Sequence, residues 1–333
     1  MDNKKELIRV TSEYFENSID YHKLLKASKE YKNLLNKLCG QELDKVTGKD
    51  NIQLNNGMAL GTLWAAMCID DLIRTRKFIR GINKAIKEKI NNKESIHILY
   101  AGTGPFATLL LPLILRYSKH KIRYTLLEIN PITFKILQKV ISELKLGAYS
   151  ITLLNEDATK YKLTHGIPDI IISETMQSAL AKEQQVSIFF NLMRQVNLDS
   201  IFIPKKIKIY LGLKTTESSS EKIQTQNYYK EKKVFEISKE DSICAHLIEN
   251  QPHKEISFPK IKTIITKEKL EGFNQLALFT EIQVFKDEVI EINKSGLTTP
   301  LIIKDISNNS KDSITIKTQY KICNEPKLDY KIT

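Results

Sequence analysis

The 333-residue sequence has little that would staple or anchor it. Its four cysteines, Cys39, Cys68, Cys244 and Cys323, lie far apart and form no C-x-x-C pair. That spacing excludes a disulfide framework, makes a zinc or other metal site unexpected, and reads as reduced cytosolic thiols. No stretch reaches the ~18–20 uncharged apolar residues of a membrane span. The longest apolar run, 107–115, follows Pro105 and is interrupted by Pro112. Met1-Asp2-Asn3-Lys4-Lys5-Glu6 carries no apolar leader segment, so a cytoplasmic protein is expected. A net charge of +12 could mean a nucleic-acid partner. The charge is mostly lysine spread along the whole chain, however, with no Arg/Lys block interleaved with aromatics. Neither nucleic acid nor a membrane is therefore an expected partner.

What is present is ordered in three parts. Residues 1–92 show helical spacing: Leu24, Leu25, Tyr31, Leu34, Leu35 and Leu38 recur at three-, four- and seven-residue intervals. Cys39-Gly40 suits a helix end with a left-handed glycine stop. A loop is expected over 47–57, then a helix pair over 62–90 broken near Gly81. From Ile96 to Pro204, short apolar runs alternate with amphipathic helices. Strands are expected at 96–100, 124–128, 150–154 and 169–173, and helices at 107–117, 131–144 and 184–195. Such alternation argues for an α/β, doubly wound, Rossmann-like parallel sheet over residues 93–204. Residues 205–333 read as a second, mostly antiparallel β domain, barrel-like, with helices scarce. The polar stretch 215–233, containing Ser218-Ser219-Ser220, is expected to be a loop or a projecting arm.

The first candidate site lies where strand 96–100 runs into Ala101-Gly102-Thr103-Gly104-Pro105. Glycines let the backbone pass close under a ligand, at the carboxyl end of the first strand of a doubly wound sheet. A lone G-x-G is weak evidence, because tight turns use glycine everywhere. Glu128 adds to it. It ends the next strand 24 positions after Gly104, where a carboxylate can accept from both ribose hydroxyls of a nucleoside. A third element, Asn155-Glu156-Asp157-Ala158, follows the next strand. Asp157 there can accept from an adenine amino group, or simply cap a solvated turn.

Together these elements resemble motif I, the post-I acid and motif II of class I S-adenosylmethionine-dependent methyltransferases. The family's usual acid and third glycine are replaced by Tyr100 and Phe106. A phosphate-free cofactor tolerates that better than a dinucleotide, so S-adenosyl-L-methionine ranks above NAD. Ala101, Gly102, Thr103, Gly104, Glu128 and Asp157 are then the expected cofactor residues.

At the end of the fourth strand the chain reads Ser173-Glu174-Thr175-Met176, with Glu183 nine positions after Glu174. This resembles the double-E loop of the protein arginine methyltransferases. Ser200-Ile201-Phe202-Ile203-Pro204 is similar to that family's passage into its β-barrel, and Asp71-Leu72-Ile73-Arg74 to the helix whose arginine holds the cofactor carboxylate. The resemblance implies that Glu174, Met176 and Glu183 hold the acceptor, with the two acids catalytic. It also implies a homodimer docked through a projecting arm, for which 215–233 is the candidate.

The chemistry accounts for two acids. A guanidinium stays protonated, with a pKa above ~12. Two carboxylates can neutralise it, bind its planar fork and aim one nitrogen at a methyl donor. Nine extended residues would separate them by up to ~30 Å, so sharing one acceptor requires the chain to double back in a hairpin. Glu183 also suits the start of the next helix, where the macrodipole favours an acid.

Some of the family's pattern is absent. Its Thr-His-Trp loop is replaced by Ser295-Gly296-Leu297-Thr298-Thr299-Pro300. Its Tyr-Phe-x-x-Tyr motif is not properly formed, since Ser18 stands where the second tyrosine after Tyr14-Phe15 would be. These departures put a protein substrate in doubt, and the extra helices of residues 1–60 are expected to cover the pocket, so an arginine N-methyltransferase acting on free arginine or a small guanidino metabolite is favoured. Protein arginine methylation and a non-catalytic scaffold of the same fold are the alternatives.

Overall fold

The computed structural model describes residues 2–40, 51–197, 199–216, 227–250, 256–307 and 312–333. Helix α1 (Asn3–Val10) is capped by the Asp2 side chain, and α2 (Tyr21–Cys39) by Asp20. A stripe of Leu24, Tyr31, Leu35 and Leu38 buries one face of α2, which stops at Gly40 with φ 58°. Strands β1 (Ile52–Leu54) and β2 (Gly57–Ala59) form an antiparallel hairpin that begins inside the stretch 47–57 expected to be loop and runs on to Ala59.

Helices α3 (Thr62–Met67) and α4 (Leu72–Ile90) follow. The break in 62–90 falls at Cys68–Asp71, and α4 runs unbroken through Gly81. Asp71 sets the break, because its carboxylate accepts from Arg74 N at 3.0 Å and caps α4. Gly81 serves packing: a Cβ there would lie 2.5 Å from Val284 Cγ1.

The central sheet contains β3 (Ile96–Ala101), β4 (Ile122–Leu127), β5 (Ser150–Leu154), β6 (Ile170–Ser173) and β7 (Ile201–Ile203), all parallel. Between them run α5 (Leu111–Ile114), α6 (Pro131–Glu143) and α7 (Gln185–Met193). The spatial order is β5-β4-β3-β6-β7. The direction of winding reverses between β3 and β6, which opens a crevice at their carboxyl ends. The helix expected at 107–117 shrinks to the single turn α5, preceded by a string of turns in which Ala107 takes a φ of 45°. The run is apolar because it is buried. Apolarity without periodicity cannot tell a buried turn from a buried helix.

Beyond the cis peptide Ile203–Pro204 the chain is largely antiparallel β. It holds β8 (Lys206–Lys214), β9 (Tyr228–Ser238), α8 (Ser242–Asn250), β10 (Ile261–Thr266) and α9 (Lys267–Leu270). Then come β11 (Gln275–Phe285), β12 (Glu288–Ile290), β13 (Leu301–Asp305), β14 (Ser313–Lys321) and β15 (Lys327–Ile332). One sheet runs β12-β11-β8-β9, with β13 also on β11, and a second runs β10-β14-β15. Their shared core stacks Phe235 on Tyr320 with ring centres 4.3 Å apart. Residues 228–233, expected in a polar arm, are the first part of β9, paired to β8. Segment 217–226 of the expected arm lies outside the described residues.

Helix α4 joins the two halves. Buried Glu288 pairs with Lys77, Arg80 and Lys84 on that helix at 3.1, 2.8 and 2.5 Å. Among the described residues no helix is long and apolar enough to cross a membrane.

Candidate functional site

A cavity of about 700 Å³ lies in the crevice at the carboxyl ends of β3, β4 and β6. The glycine turn forms its floor. Gly102 has a φ of 74°, and a Cβ there would collide with the Thr175 methyl at 2.3 Å. The turn and the start of the acidic loop therefore approach more closely than a side chain would allow.

Glu128 follows β4 and turns into the same cavity. Its Oε2 accepts from Gly104 N at 2.9 Å and its Oε1 from Asn130 N at 2.8 Å. Burial pushes its carboxyl up to about 7, against the pull of these backbone donors. Each carboxylate oxygen has a further lone pair for a ligand.

The Glu174–Glu183 loop doubles back as expected, without a strand ladder. Its arms are tied by Gln185 N to Thr175 O (3.1 Å) and Thr175 N to Gln185 Oε1 (3.0 Å). Ala179, Leu180 and Lys182 take φ values of 58°, 53° and 68° to make the reversal. Non-glycine residues in this region carry strain, which the surroundings must over-determine. The C-terminal β region does so: Tyr320 OH donates to Leu180 O at 2.7 Å, Ala179 N to Thr280 Oγ1 at 2.9 Å and Lys182 N to Pro326 O at 2.7 Å. Both acids are buried and line the cavity. Burial pushes the Glu183 carboxyl up to about 7, opposed by the Arg74 charge and a hydrogen bond from Gln177.

Arg74, near the start of α4, completes the charged centre. Nη1 donates to Cys68 O at 2.8 Å and Nη2 pairs with Glu174. Nε is buried and has no partner among the described residues. Asp71 fastens this helix end to the loop over 295–300. Its Oδ2 accepts from Ser295 Oγ at 2.6 Å and Gly296 N at 2.9 Å, which brings Gly296 and Leu297 to the cavity wall.

Gly102, Thr103, Gly104, Glu128, Arg74, Glu174, Met176 and Glu183 thus meet around one cavity. Two expected residues do not line it. Ala101 is the last residue of β3 and wholly buried in the sheet. Asp157 points into its own turn, where Oδ1 accepts from Thr159 N at 2.9 Å and Thr159 Oγ1 at 2.7 Å. The neighbouring Glu156 lines the cavity instead. The choice between adjacent acids depended on the loop conformation, which spacing did not reveal. Among the described residues, the cover expected from the N-terminal helices comes from the β1–β2 hairpin and α3, through Met58, Leu60 and Trp64. Neither α1 nor α2 reaches the cavity.

No protein-family model matches the chain, and no curated protein matches it in sequence. Solved structures do match. One is Arabidopsis thaliana protein arginine methyltransferase 10, described as uniquely open. It has a TM-score of 0.51 and 10% identity, covering 80% of this chain and 91% of that one. The chain has an arginine-methyltransferase-like fold. The Trypanosoma brucei PRMT1 enzyme–prozyme heterotetrameric complex with AdoHcy is also similar, with a TM-score of 0.47 and 12% identity over 76% of this chain and 86% of that one. In this methyltransferase-like fold the glycine turn, Glu128 and the paired acids lie together at the reversal of strand order.

Proposed function

We propose that the protein is an S-adenosyl-L-methionine-dependent N-methyltransferase acting on a guanidino group of the arginine type. The observation that carries this reading is the pair of buried acids, Glu174 and Glu183, facing one cavity with the glycine turn and Glu128. Arg74 already pairs with Glu174, while Glu183 lines the same cavity; a guanidinium entering there offers five donors in a rigid fork to the acids' remaining lone pairs.

The residues present fit the cofactor. Glu128 would receive the ribose hydroxyls, Glu156 suits the adenine side, and the unused Nε of Arg74 is a donor for a carboxylate. A Cβ added at Gly104 would meet nothing closer than Ala65 Cβ at 3.7 Å, so a ligand can lie over the turn. When bound, the cofactor supplies a methyl on sulfonium sulfur: the C–S pair stays with sulfur, the acceptor nitrogen forms the N–C bond, and one N–H proton must leave. Glu174 and Glu183 orient the acceptor nitrogen and concentrate negative charge against it. Glu183, with its carboxyl at about 7, is matched to take the proton.

The test offers free arginine, an arginine-rich peptide and a lysine-rich control, and identifies the methylated atom. A methyl on lysine or a carboxylate would remove the guanidino reading and leave only methyl transfer. Free arginine or a small guanidino compound is the favoured acceptor because the cavity is covered on its N-terminal side by the β1–β2 hairpin and α3.

The pH profile follows from the raised carboxyl. The neutral acid is the low-pH form, so below about 7 Glu183 loses the charge that holds a guanidinium. kcat/KM is expected to fall roughly tenfold per pH unit below that point and to level off above it. In the complex the bound cation favours the carboxylate, so the inflection in kcat should lie at lower pH. A profile flat from pH 6 to 8 rejects this role for Glu183.

Self-pairing through the β8–β9 arm is also part of the proposal. Sedimentation at micromolar concentration should show a dimer, and a monomer would remove it.

A further inference from the structure

Residues 51–60 belong to no sequence motif, and the proposed reading uses them only as cover. They nevertheless form the β1–β2 hairpin against the Glu183 arm of the acidic loop. Met58 N donates to Lys182 O at 2.8 Å, and Met58 bridges in parallel with Glu183. Gln184 Nε2 donates to Asn56 Oδ1 at 2.7 Å. Gly57, with a φ of 131°, sits so close that a Cβ would lie 2.9 Å from Gln184 Cγ and 3.0 Å from the Lys182 carbonyl oxygen. At the far end Gln53 Nε2 donates to Asn324 O at 2.6 Å, two residues before the Pro326 carbonyl that accepts from Lys182 N. The hairpin therefore straps the acidic loop to the turn between β14 and β15.

An extended peptide is commonly held by main-chain hydrogen bonds along a free edge beside its target pocket. Here both flanks of the acidic loop are engaged within the chain. Met58 covers one side, and Thr280, Pro326 and Tyr320 take the other. Met58, Ala59 and Leu60 then wall the cavity on the Glu183 side.

We propose that this hairpin is the specificity element of the acceptor pocket: it admits a guanidino compound small enough to lie wholly within the cavity and excludes arginine carried in a polypeptide. The proposal rests on the guanidino reading above. It adds a negative element, a strap that rejects the longer acceptor whatever the two acids contribute to both.

The experiment compares kcat/KM for free L-arginine and for a ten-residue peptide with one central arginine, using the full chain. Wild type should favour free arginine by on the order of 100-fold. Gly57→Val forces a branched side chain into the Gln184 and Lys182 contacts and should displace the strap. The preference should then narrow at least tenfold, with hydrogen exchange rising at 52–59. Gln53→Ala cuts only the Asn324 tie and should narrow it less, which keeps the test decisive if Gly57→Val does not fold. Equal use of both acceptors by wild type would overturn the strap and leave guanidino methylation standing. An unchanged preference in variants whose 52–59 exchange has risen would do the same. No guanidino product from either acceptor, with cofactor bound, would remove the parent reading and this inference with it.

Discussion

Glu174→Gln and Glu183→Gln should each lower methyl transfer by on the order of 10²–10³-fold or more while cofactor affinity changes little. Glutamine is nearly isosteric, so at position 183 the loop should keep its packing and only the charge is tested. One amide oxygen can still accept, but the NH₂ group opposes the donors of a guanidinium. At position 174 the same amide also faces Arg74, so that variant tests the whole buried cluster. The double variant should be scarcely slower than either single one, because both acids act on one acceptor. Single-turnover assays with mass analysis of the product read this directly. Absence of cofactor binding altogether in wild type would point to the scaffold alternative. Wild-type turnover in both variants would remove the paired-acid mechanism.

Glu128→Ala is expected to weaken S-adenosylmethionine binding by roughly ten- to a hundredfold, the loss of about 1.5–3 kcal/mol for hydrogen bonds to a charged group. The loss has two parts. The ribose acceptor disappears, and the Gly104 and Asn130 amides lose the carboxylate that now holds the turn. Glu128→Gln keeps one acceptor and should fall between. Because burial raises this carboxyl to about 7, wild-type affinity should also weaken as pH drops below 7, and the alanine variant should lose that dependence. Calorimetry at pH 6 and 8 checks both points, and unchanged affinity in Glu128→Ala would show that the residue supports the turn alone.

The site was legible in the sequence wherever chemistry and secondary structure reinforced each other. Glycines at a strand end, an acid at the next, and an acid pair after the fourth are positions that a doubly wound sheet brings together by topology. Asp157 does not line the cavity because it accepts from Thr159 within its own turn, and spacing does not reveal which of two adjacent acids faces the cavity. The β1–β2 hairpin escaped notice because its strands are three residues long and depend on partners 124 or more positions away, as Met58 does on Lys182. No local periodicity carries such information. Strand β9 was obscured by the polar stretch running into it, since lysines on its open face mask the alternation.

The ion-paired helix α4 also bears on how the chain can be cut. At one end it carries Arg74 into the cavity, and farther along it presents Gly81 to Val284 and three cations to Glu288. A fragment ending at Pro204 would uncover the part of that helix packed on β11 and β12 and leave Lys77, Arg80 and Lys84 side by side without their acid. The parallel sheet is thus not a portable module. The cavity and the β region share one piece of architecture, and an insertion that shifts one of them would be felt in the other.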